Sequence, residues 1–311
     1  MIITVTMNPA IDKTVEVSNF IYGNLNRIQK VEYDAGGKGI NVSKTICELG
    51  GQSIATGFIA GNNGQTIVNV LKAKGIDCDF VEVEGETRTN TKVVESDGTL
   101  TELNEPGPCI TEKKLSELKH KLLEYAKEGN VFVFAGSIPA GIPKTIYGEL
   151  ISLVKKKGAK VLLDADGEAF RKAVEAGPDF IKPNKAELAE YCGLEADADS
   201  ASLLKAADKL REKGVKNIVV SMGDIGGIFL LEDYQVWCPG LKVEVHSTVG
   251  AGDAMVAALS YAEDNQLKRE DVVRLCMAVS AGAVTTIGTK PPSKEVVDEL
   301  IKQVTIKEIG E

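Results

Sequence analysis

A glycine turn followed by an acidic residue is the strongest chemical signal in the sequence. Gly250-Ala251-Gly252-Asp253 lies between a predicted strand, Lys242–Val245, and an Ala-rich apolar segment typical of a helix. The first turn of a helix exposes unpaired N–H groups and carries partial positive charge, so this turn could bind an anion. The glycines let a ligand come close to the backbone, and Asp253 lies beside the anion site. An aspartate that only caps the helix is the alternative interpretation.

A second glycine loop surrounds a lysine, in Ala35-Gly36-Gly37-Lys38-Gly39-Ile40-Asn41-Val42-Ser43. Its spacing fits neither G-x-x-x-x-G-K-[ST] nor G-x-G-x-x-G, which argues against P-loop NTPases and dinucleotide-binding dehydrogenases. The H-R-D and D-F-G motifs of protein kinases do not occur in the sequence. The loop is therefore either a contact to another kind of ligand or a flexible turn with a solvated lysine.

Further polar and glycine residues follow predicted strands or lie in loops. They are Asp12, Arg88, Gly136-Ser137, Lys182–Glu187 and Ser221–Gly227. Each alone is ordinary loop chemistry. Because the carboxyl ends of parallel strands share one edge of a sheet, their joint occurrence predicts a ligand site at that edge.

Apolar, β-rich runs alternate with amphipathic segments along most of the chain. The predicted strands are Ile2–Met7, Ser53–Ile59, Val131–Ala135, Lys160–Asp164, Phe180–Lys182, Ile218–Ser221 and Gly227–Leu231. The predicted helices lie near 40–49, 64–74, 112–128, 144–157, 200–213, 251–264 and 269–286. This alternation predicts an α/β fold with a doubly wound, mainly parallel sheet flanked by helices.

Two regions interrupt the alternation of strands and helices. Residues 13–33 and 80–104 contain alternating polar and apolar residues with no helix between them, which predicts a small exposed sheet. Such a sheet could serve as a lid, a dimer surface, or both. Without a Pro/Gly-rich linker or a repeat, we expect one domain over 1–311 that carries this small sheet.

Composition narrows the functional classes. The 311 residues are 43% hydrophobic and 26% charged, with a net charge of −9, so nucleic acid and membrane surfaces are poor partners. The amino terminus has the pattern of a strand and not of a signal peptide, and the six cysteines are widely spaced. We therefore expect a cytoplasmic protein with reduced thiols. Only two histidines are present, which argues against zinc sites built on several histidines.

The sequence resembles the ribokinase-like (PfkB) family of carbohydrate kinases, in the branch that contains 1-phosphofructokinases and tagatose-6-phosphate kinases. The resemblance covers almost the whole chain and includes the opening Asn-Pro-Ala-Ile-Asp, Ala35–Ser43, Gly136–Pro139, Lys182–Glu187, Ser221–Gly227 and Ser247–Met255. Two positions depart from the commonest family pattern. Ser247 stands where many members have Asp, and Ala254 where Ser is frequent.

The resemblance implies a role for each matching residue. Asp253 would accept the proton of the attacking hydroxyl, with Gly250, Ala251 and Gly252 forming the anion turn. On the substrate side it implies Asp12, Gly37, Asn41, Asn90 and Ser137, with Lys38, Arg88 and Arg27 for the phosphate already on the sugar. On the ATP side it implies Lys182, Asn184, Ser221, Gly223, Gly226, Thr248, Gly250 and Gly252. Glu187 would be associated with Mg²⁺.

The resemblance also implies the reaction, namely ATP-dependent phosphorylation of a ketohexose phosphate. Fructose 1-phosphate is the expected substrate. Tagatose 6-phosphate and fructose 6-phosphate are alternatives, and a non-catalytic sugar-phosphate sensor is an alternative of another class. Exposed strands of the small sheet favour a homodimer through edge pairing.

Overall fold

The computed structural model describes residues 1–195 and 200–309. Its strands are β1 Ile2–Thr6, β2 Ala10–Val17, β3 Lys30–Gly36, β4 Ser53–Ala60, β5 Asp77–Val83, β6 Arg88–Glu95, β7 Leu100–Asn104, β8 Val131–Ala135, β9 Lys160–Asp164, β10 Phe180–Ile181, β11 Asn217–Ser221, β12 Gly226–Leu231, β13 Tyr234–Pro239 and β14 Lys307–Glu308. Its α-helices are α1 Lys38–Glu48, α2 Gly61–Ala73, α3 Glu112–Tyr125, α4 Ile146–Lys155, α5 Gly167–Val174, α6 Lys185–Cys192, α7 Ser200–Arg211, α8 Ala251–Asp264, α9 Arg269–Ala283 and α10 Lys294–Ile301.

The large sheet has ten strands in the order β14-β13-β12-β11-β10-β9-β8-β1-β4-β5. From β5 to β11 all neighbours are parallel, whereas β12, β13 and β14 add an antiparallel edge. The central strands β1 and β8 are buried along their whole length, as expected for parallel strands covered by helices on both faces. The doubly wound, mainly parallel sheet is confirmed.

Two large clusters of buried apolar side chains lie on the helices and strands of this sheet. One contains Leu118 of α3, Leu150 of α4 and Leu188 of α6. The other contains Val256 of α8 and Val273 of α9. This packing holds the helices against the sheet, and it places the amino-terminal turns of α1 and α8 close together.

The small sheet has four strands in the order β3-β2-β6-β7. One face is polar and includes Asp12, Asn90 and Lys92, because the register pairs Asp12 with Asn90 and alternation puts Lys92 on the same side. The opposite face includes Tyr33 and Leu103, which are exposed. A sheet with one polar and one apolar face is therefore present, as the alternating patterns predict.

Two sequence expectations about the strands are wrong. Residues 242–245 form no strand, and the edge strand beside β13 is β14, which pairs with Val236 and Trp237. Residues 80–83 belong to β5 of the large sheet and not to the small sheet. All the other predicted strands and helices coincide with elements of the structure, with shifts at their ends.

Candidate active site

Asp253 and Asn41 meet where the first turns of α8 and α1 come together. The Asn41 Nδ2 donates a hydrogen bond to Asp253 Oδ2 at 2.8 Å, and both side chains are buried. The Asn41 Oδ1 is also buried and has no hydrogen-bond partner within the part of the chain that the structure describes. Because a buried polar atom without a partner is costly, this oxygen marks a place where a ligand hydroxyl can bind.

Burial, and secondly the charge of Asp164, raise the pKa of Asp253 to about 6. The Asn41 hydrogen bond and the ammonium groups of Lys38 and Lys182 act in the opposite direction. At neutral pH the carboxyl is therefore ionised, yet it binds a proton more readily than an exposed aspartate. That balance suits a general base.

Asp164 is a site residue that the sequence analysis did not identify. It ends β9, is buried, and lies between two lysines, with Lys38 Nζ at 3.6 Å and Lys182 Nζ at 3.8 Å. Its carboxylate raises the pKa of Lys38. A polar residue directly after an apolar strand is the signal that identified its neighbours, and Val161-Leu162-Leu163-Asp164 carries the same signal. The two cations and the base thus form one electrostatic cluster.

The turn before α8 is shaped for an anion. Gly250 has φ 86°, and an added Cβ would lie 3.4 Å from Thr289 Cα, so a larger residue would be strained. An added Cβ on Gly252 would lie 3.1 Å from Lys182 Nζ, which places this ammonium beside the turn. Backbone N–H groups of the 14-residue helix α8 and a lysine therefore converge next to Asp253.

Asp12 lies at the junction between the two sheets. Its Oδ2 pairs with Lys92 Nζ at 3.1 Å, and its Oδ1 accepts a weaker bond from Asn90 Nδ2 at 3.4 Å. An added Cβ on Gly36 would lie 2.6 Å from the Asp12 carboxyl, so only glycine fits beside it. Lys92 is another residue that the sequence analysis missed, although its place two residues after Asn90 puts it on the same face.

Gly37 caps α1 with φ 115°, and an added Cβ would lie 2.9 Å from Thr6 Cγ2. The glycine therefore allows the loop to pass directly over the end of β1. This close approach brings Lys38 and Asn41 to the carboxyl edge of the sheet.

Arg88 starts β6, and Ser137, in the turn after β8, lies next to it. The Arg88 Nη2 donates to Asn8 O at 3.0 Å and to Ser137 Oγ at 3.4 Å, while Nη1 donates to Glu105 O at 3.2 Å. Burial lowers the pKa of the guanidinium, which nevertheless stays charged at neutral pH. A cation and a hydroxyl thus lie together at the polar end of the site.

A cavity of about 600 Å³ extends from the Gly250–Asp253 turn along the antiparallel edge of the large sheet. Its lining combines glycines with apolar side chains, including Met255 and Met277. The predicted nucleotide residues that line it are Ser221, Gly223, Gly226, Thr248 and Gly252. Its volume and its apolar lining fit a purine base, and its anion turn fits the attached phosphates. Val243 and Val245 also line this cavity, so the predicted strand there forms cavity wall instead.

Asn184 and Glu187 form the first turn of α6. The Asn184 Oδ1 accepts from Glu187 N at 2.8 Å, and Glu187 Oε2 accepts from Asn184 N at 2.8 Å, which is a capping box. Among residues 1–195 and 200–309, no group of three or more acidic, histidine or cysteine side chains could hold a metal. The site therefore fits an Mg²⁺ carried mainly by phosphates, with Glu187 as a nearby carboxylate.

Arg27, predicted to bind the substrate's phosphate together with Lys38 and Arg88, does not lie beside them within one chain, and its role stays a prediction. It is exposed in the connection between β2 and β3. β2 starts near Asp12 and ends at Val17, so this connection lies at the end of the small sheet that is remote from the site. Sequence spacing cannot reveal that, because it does not give the direction of the strands.

The whole chain is similar in sequence to a known protein family and to named members of it. Residues 3–296 match the pfkB family of carbohydrate kinases. The chain is 34% identical over 305 residues to the 1-phosphofructokinase of Vibrio cholerae, covering 98% of this chain and 96% of that protein. It is 31% identical over 313 residues to the tagatose-6-phosphate kinase of Staphylococcus epidermidis, covering 99% of this chain and 100% of that protein.

The fold is also similar to phosphofructokinase-2 of Escherichia coli. The structure of that protein in complex with substrates and products has a TM-score of 0.92 and 28% identity, covering 97% of this chain and 98% of that one. A tetrameric inhibited form of the same protein has a TM-score of 0.90, with the same identity and coverage. Every helix in the described part of the present chain is too short or too polar to span a membrane.

Proposed function

Because the chain belongs to the pfkB family of carbohydrate kinases, we propose that its site transfers the γ-phosphoryl group of ATP to a hydroxyl of a ketohexose phosphate. The observation that carries this proposal is the buried Asp253 carboxylate at the first turn of α8, with its raised pKa and its bond to Asn41. A base beside an anion-binding turn is what phosphoryl transfer to a hydroxyl requires.

Asp253 accepts the proton of the sugar hydroxyl as its oxygen attacks the γ-phosphorus, and the bond to the bridging oxygen of ADP breaks. Asn41 fixes the carboxylate through Nδ2 and offers its unpartnered Oδ1 to a sugar hydroxyl. The Gly250–Gly252 backbone and Lys182 stabilise the negative charge on the transferring group. Bound Mg²⁺ would supply further neutralisation of the ATP phosphates, near Glu187.

The sugar binds between the two sheets. Asp12, held by Lys92, and the backbone at Gly37 are placed to bind its hydroxyls. Arg88 and Ser137 form the subsite for the phosphate already on the substrate. The base of ATP would occupy the cavity lined by Ser221, Gly223, Gly226 and Thr248, while Lys182 lies toward its phosphates.

Fructose 1-phosphate is the substrate that we propose, with fructose 1,6-bisphosphate as product. The named relatives at 34–36% identity over nearly the whole chain support this choice. Tagatose 6-phosphate is the second candidate, because a relative named tagatose-6-phosphate kinase is 31% identical to this chain over its full length.

A kinetic panel tests the proposal. ADP release is measured with Mg·ATP and fructose 1-phosphate, tagatose 6-phosphate, fructose 6-phosphate or unphosphorylated fructose, and the sugars are ranked by kcat/KM. We expect fructose 1-phosphate to rank first. A higher kcat/KM for tagatose 6-phosphate would transfer the assignment to that sugar, and no ADP release with any phosphosugar would refute the kinase proposal.

The apolar face of the small sheet supports a homodimer in which the small sheet also acts as a lid. Tyr33 is 67% and Leu103 56% exposed on that face, and in the connection between β2 and β3 Tyr22 is 95% and Leu25 78% exposed. Exposed apolar side chains on and beside one face favour a protein contact. Charged substitution of Tyr33 and Leu103 should convert a dimer to monomers in analytical ultracentrifugation. A wild-type protein that is already monomeric at micromolar concentration would refute the dimer.

The six free thiols of the protein support the cytoplasm as its location.

A further inference from the structure

We propose, on the basis of the function proposed above, that Asn8 is a positioning residue for the phosphate subsite and fixes both Arg88 and Ser137. Asn8 follows β1 and is only 6% exposed. It contacts three segments that are distant in sequence, namely the start of β6, the segment after β7 and the turn after β8. Its role therefore cannot be read from local sequence alone.

The backbone carbonyl of Asn8 holds the guanidinium. The Arg88 Nε donates to it at 3.2 Å and Nη2 at 3.0 Å. Asn8 precedes Pro9, and a residue before proline is restricted to extended conformations. The acceptor for two of the five guanidinium N–H groups is thus attached to a stiff piece of backbone.

The side chain of Asn8 holds the other parts of the subsite. Its Nδ2 donates to Ser137 Oγ at 3.3 Å and to Pro106 O at 3.1 Å. The adjacent carbonyl, Glu105 O, accepts from Arg88 Nη1 at 3.2 Å. The Asn8 amide therefore fixes the Ser137 hydroxyl. It also fixes the Glu105–Pro106 segment, whose Glu105 carbonyl is the second backbone acceptor for Arg88.

Gly107 lies directly against the side chain of Asn8 and close to Arg88. It has φ 83°, and an added Cβ would lie only 2.3 Å from Asn8 Oδ1. This oxygen is buried and has no hydrogen-bond partner within the described residues. A side chain at 107 would therefore displace the Asn8 amide, so the position of Asn8 requires glycine there.

The consequence is a selective effect on the binding of phosphorylated sugar. Asn8 touches neither Asp253 nor the nucleotide cavity among the contacts of the described residues. Loosening it should disperse the orientations of the Arg88 guanidinium and the Ser137 hydroxyl while the catalytic base stays in place. Such a change raises KM for the phosphosugar and leaves kcat nearly constant.

The test compares Asn8→Ala with Asn130→Ala. Asn130 is a matched control, because it is 4% exposed and its Nδ2 donates to a backbone carbonyl, Tyr125 O, at 2.7 Å. It precedes β8 at the edge of the sheet opposite the site. Both variants lose a buried amide, so a merely structural effect should lower Tm in both and leave the kinetics of the folded fraction alike.

Asn8→Ala removes the two hydrogen bonds of Nδ2 and keeps the carbonyl that Arg88 contacts. From the loss of two hydrogen bonds we expect KM for fructose 1-phosphate to rise about 10- to 100-fold. We expect kcat and KM for ATP to change less than about threefold, and kcat/KM for free fructose to change little. Asn130→Ala should leave all of these constants unchanged. If Asn8→Ala is folded and its KM for the phosphosugar equals that of the wild type, Asn8 is not a positioning residue. An equal loss with free fructose overturns the proposal as well.

Gly107→Ala provides a second approach that does not remove Asn8. Alone it should raise KM for the phosphosugar, because the new methyl group displaces Asn8 Oδ1. Added to Asn8→Ala, it should have a much smaller effect, since the clash is gone while the backbone strain remains. Strict additivity of the two substitutions would overturn the proposal.

These outcomes are distinct from failure of the proposed function. Arg88→Ala reports on the subsite itself. If Arg88→Ala is selective for phosphorylated sugar and Asn8→Ala is not, the function stands and the role of Asn8 is refuted. If the wild-type protein releases no ADP with any phosphosugar, the function is refuted, and with it the basis for a phosphate subsite.

Discussion

Asn41 donates a hydrogen bond to Asp253 at 2.8 Å across the junction of α1 and α8, and both side chains are buried. The bond holds the carboxylate in one orientation and partly offsets the cost of its burial. Because each residue belongs to the first turn of a different helix, the packing of α1 against α8 sets the geometry of the base.

Asp253→Asn should lower kcat by about 10²- to 10⁴-fold, the usual contribution of a general base. Folding and ATP binding should persist, since asparagine is nearly isosteric and can still accept from Asn41. Steady-state ADP release at saturating substrates measures the effect. The matched control is Asp271→Asn, an aspartate in the first turn of α9, which should retain full activity. Near wild-type turnover of folded Asp253→Asn would remove Asp253 from the mechanism.

The same substitution should stabilise the protein at neutral pH. The folded-state pKa of Asp253, about 6, lies above the ordinary value of 3.8, so folding is penalised fully above pH 6 and not below pH 4. Asp253→Asn removes the penalty, and we expect its Tm at pH 7.5 to exceed that of the wild type by about 2–5 °C. The difference should shrink as the pH falls toward 4. A constant or negative difference would mean that the buried charge is not costly.

Asp164→Asn should shift the acid limb of the pH profile of kcat to lower pH. We expect this limb in the wild type to reflect protonation of Asp253, whose pKa the Asp164 charge raises. Neutralising Asp164 removes that repulsion. It also leaves the positive charges of Lys38 and Lys182 without their partner, so that both changes lower the pKa of Asp253. Asp179→Asn is the control, because Asp179 pairs with Lys155 and accepts from Val161 N at the opposite end of β9. An unchanged limb in Asp164→Asn would show that the limb does not report on this cluster.

Much of the fold could be predicted because it depends on local patterns. Continuous apolar runs such as Val131–Ala135 have only one plausible environment, a strand buried on both faces. Lys242–Val245 shows where this reasoning fails. Its alternation of polar and branched residues fits an edge strand, but the available edge is already paired by β14, some 60 residues further along the chain.

The candidate site was predictable in part for a similar reason. The glycine turn at 250–252 and Asp253 are contiguous, so their joint chemistry is visible in the sequence. Asn8, Lys92 and Asp164 act through partners that are distant in sequence, and only the fold reveals those contacts. For Arg27 the sequence indicates a charge but not its place, because within one subunit the connection that carries it lies at the end of the small sheet remote from the site.

Magnesium dependence should respond to Glu187 without loss of the fold. Glu187→Gln keeps an acceptor for Asn184 N and thus the capping box of α6, but it removes the negative charge. We expect a several-fold higher Mg²⁺ concentration for half-maximal activity and an unchanged Tm, and excess EDTA should abolish activity in both proteins. Activity that persists in EDTA, or an unaltered Mg²⁺ requirement in the variant, would contradict the assignment of Glu187.

Arg88 should determine whether the substrate's phosphate is recognised, despite the protein's net charge of −9. Four hydrogen bonds to Asn8, Glu105 and Ser137 engage most of its five N–H groups. A phosphate can therefore bind only the remaining Nη1 hydrogen and the edge shared with Ser137. Since a charge-assisted hydrogen bond contributes roughly 1.5–3 kcal/mol, Arg88→Ala should lower kcat/KM for fructose 1-phosphate by about 10- to 150-fold.

The loss should nearly vanish with unphosphorylated fructose, because that sugar offers no anion to the subsite. Arg88→Lys should recover little, since a point charge cannot reproduce the planar arrangement that spans two carbonyls and a hydroxyl. Measuring both variants on both sugars separates recognition of phosphate from support of the Asn8 and Glu105 backbone. If Arg88→Ala impairs the two sugars equally, then Arg88 only holds that backbone in place. The phosphate must then be bound by another cation, and Lys38, which pairs with Asp164 at 3.6 Å, is the candidate that the sequence also indicates.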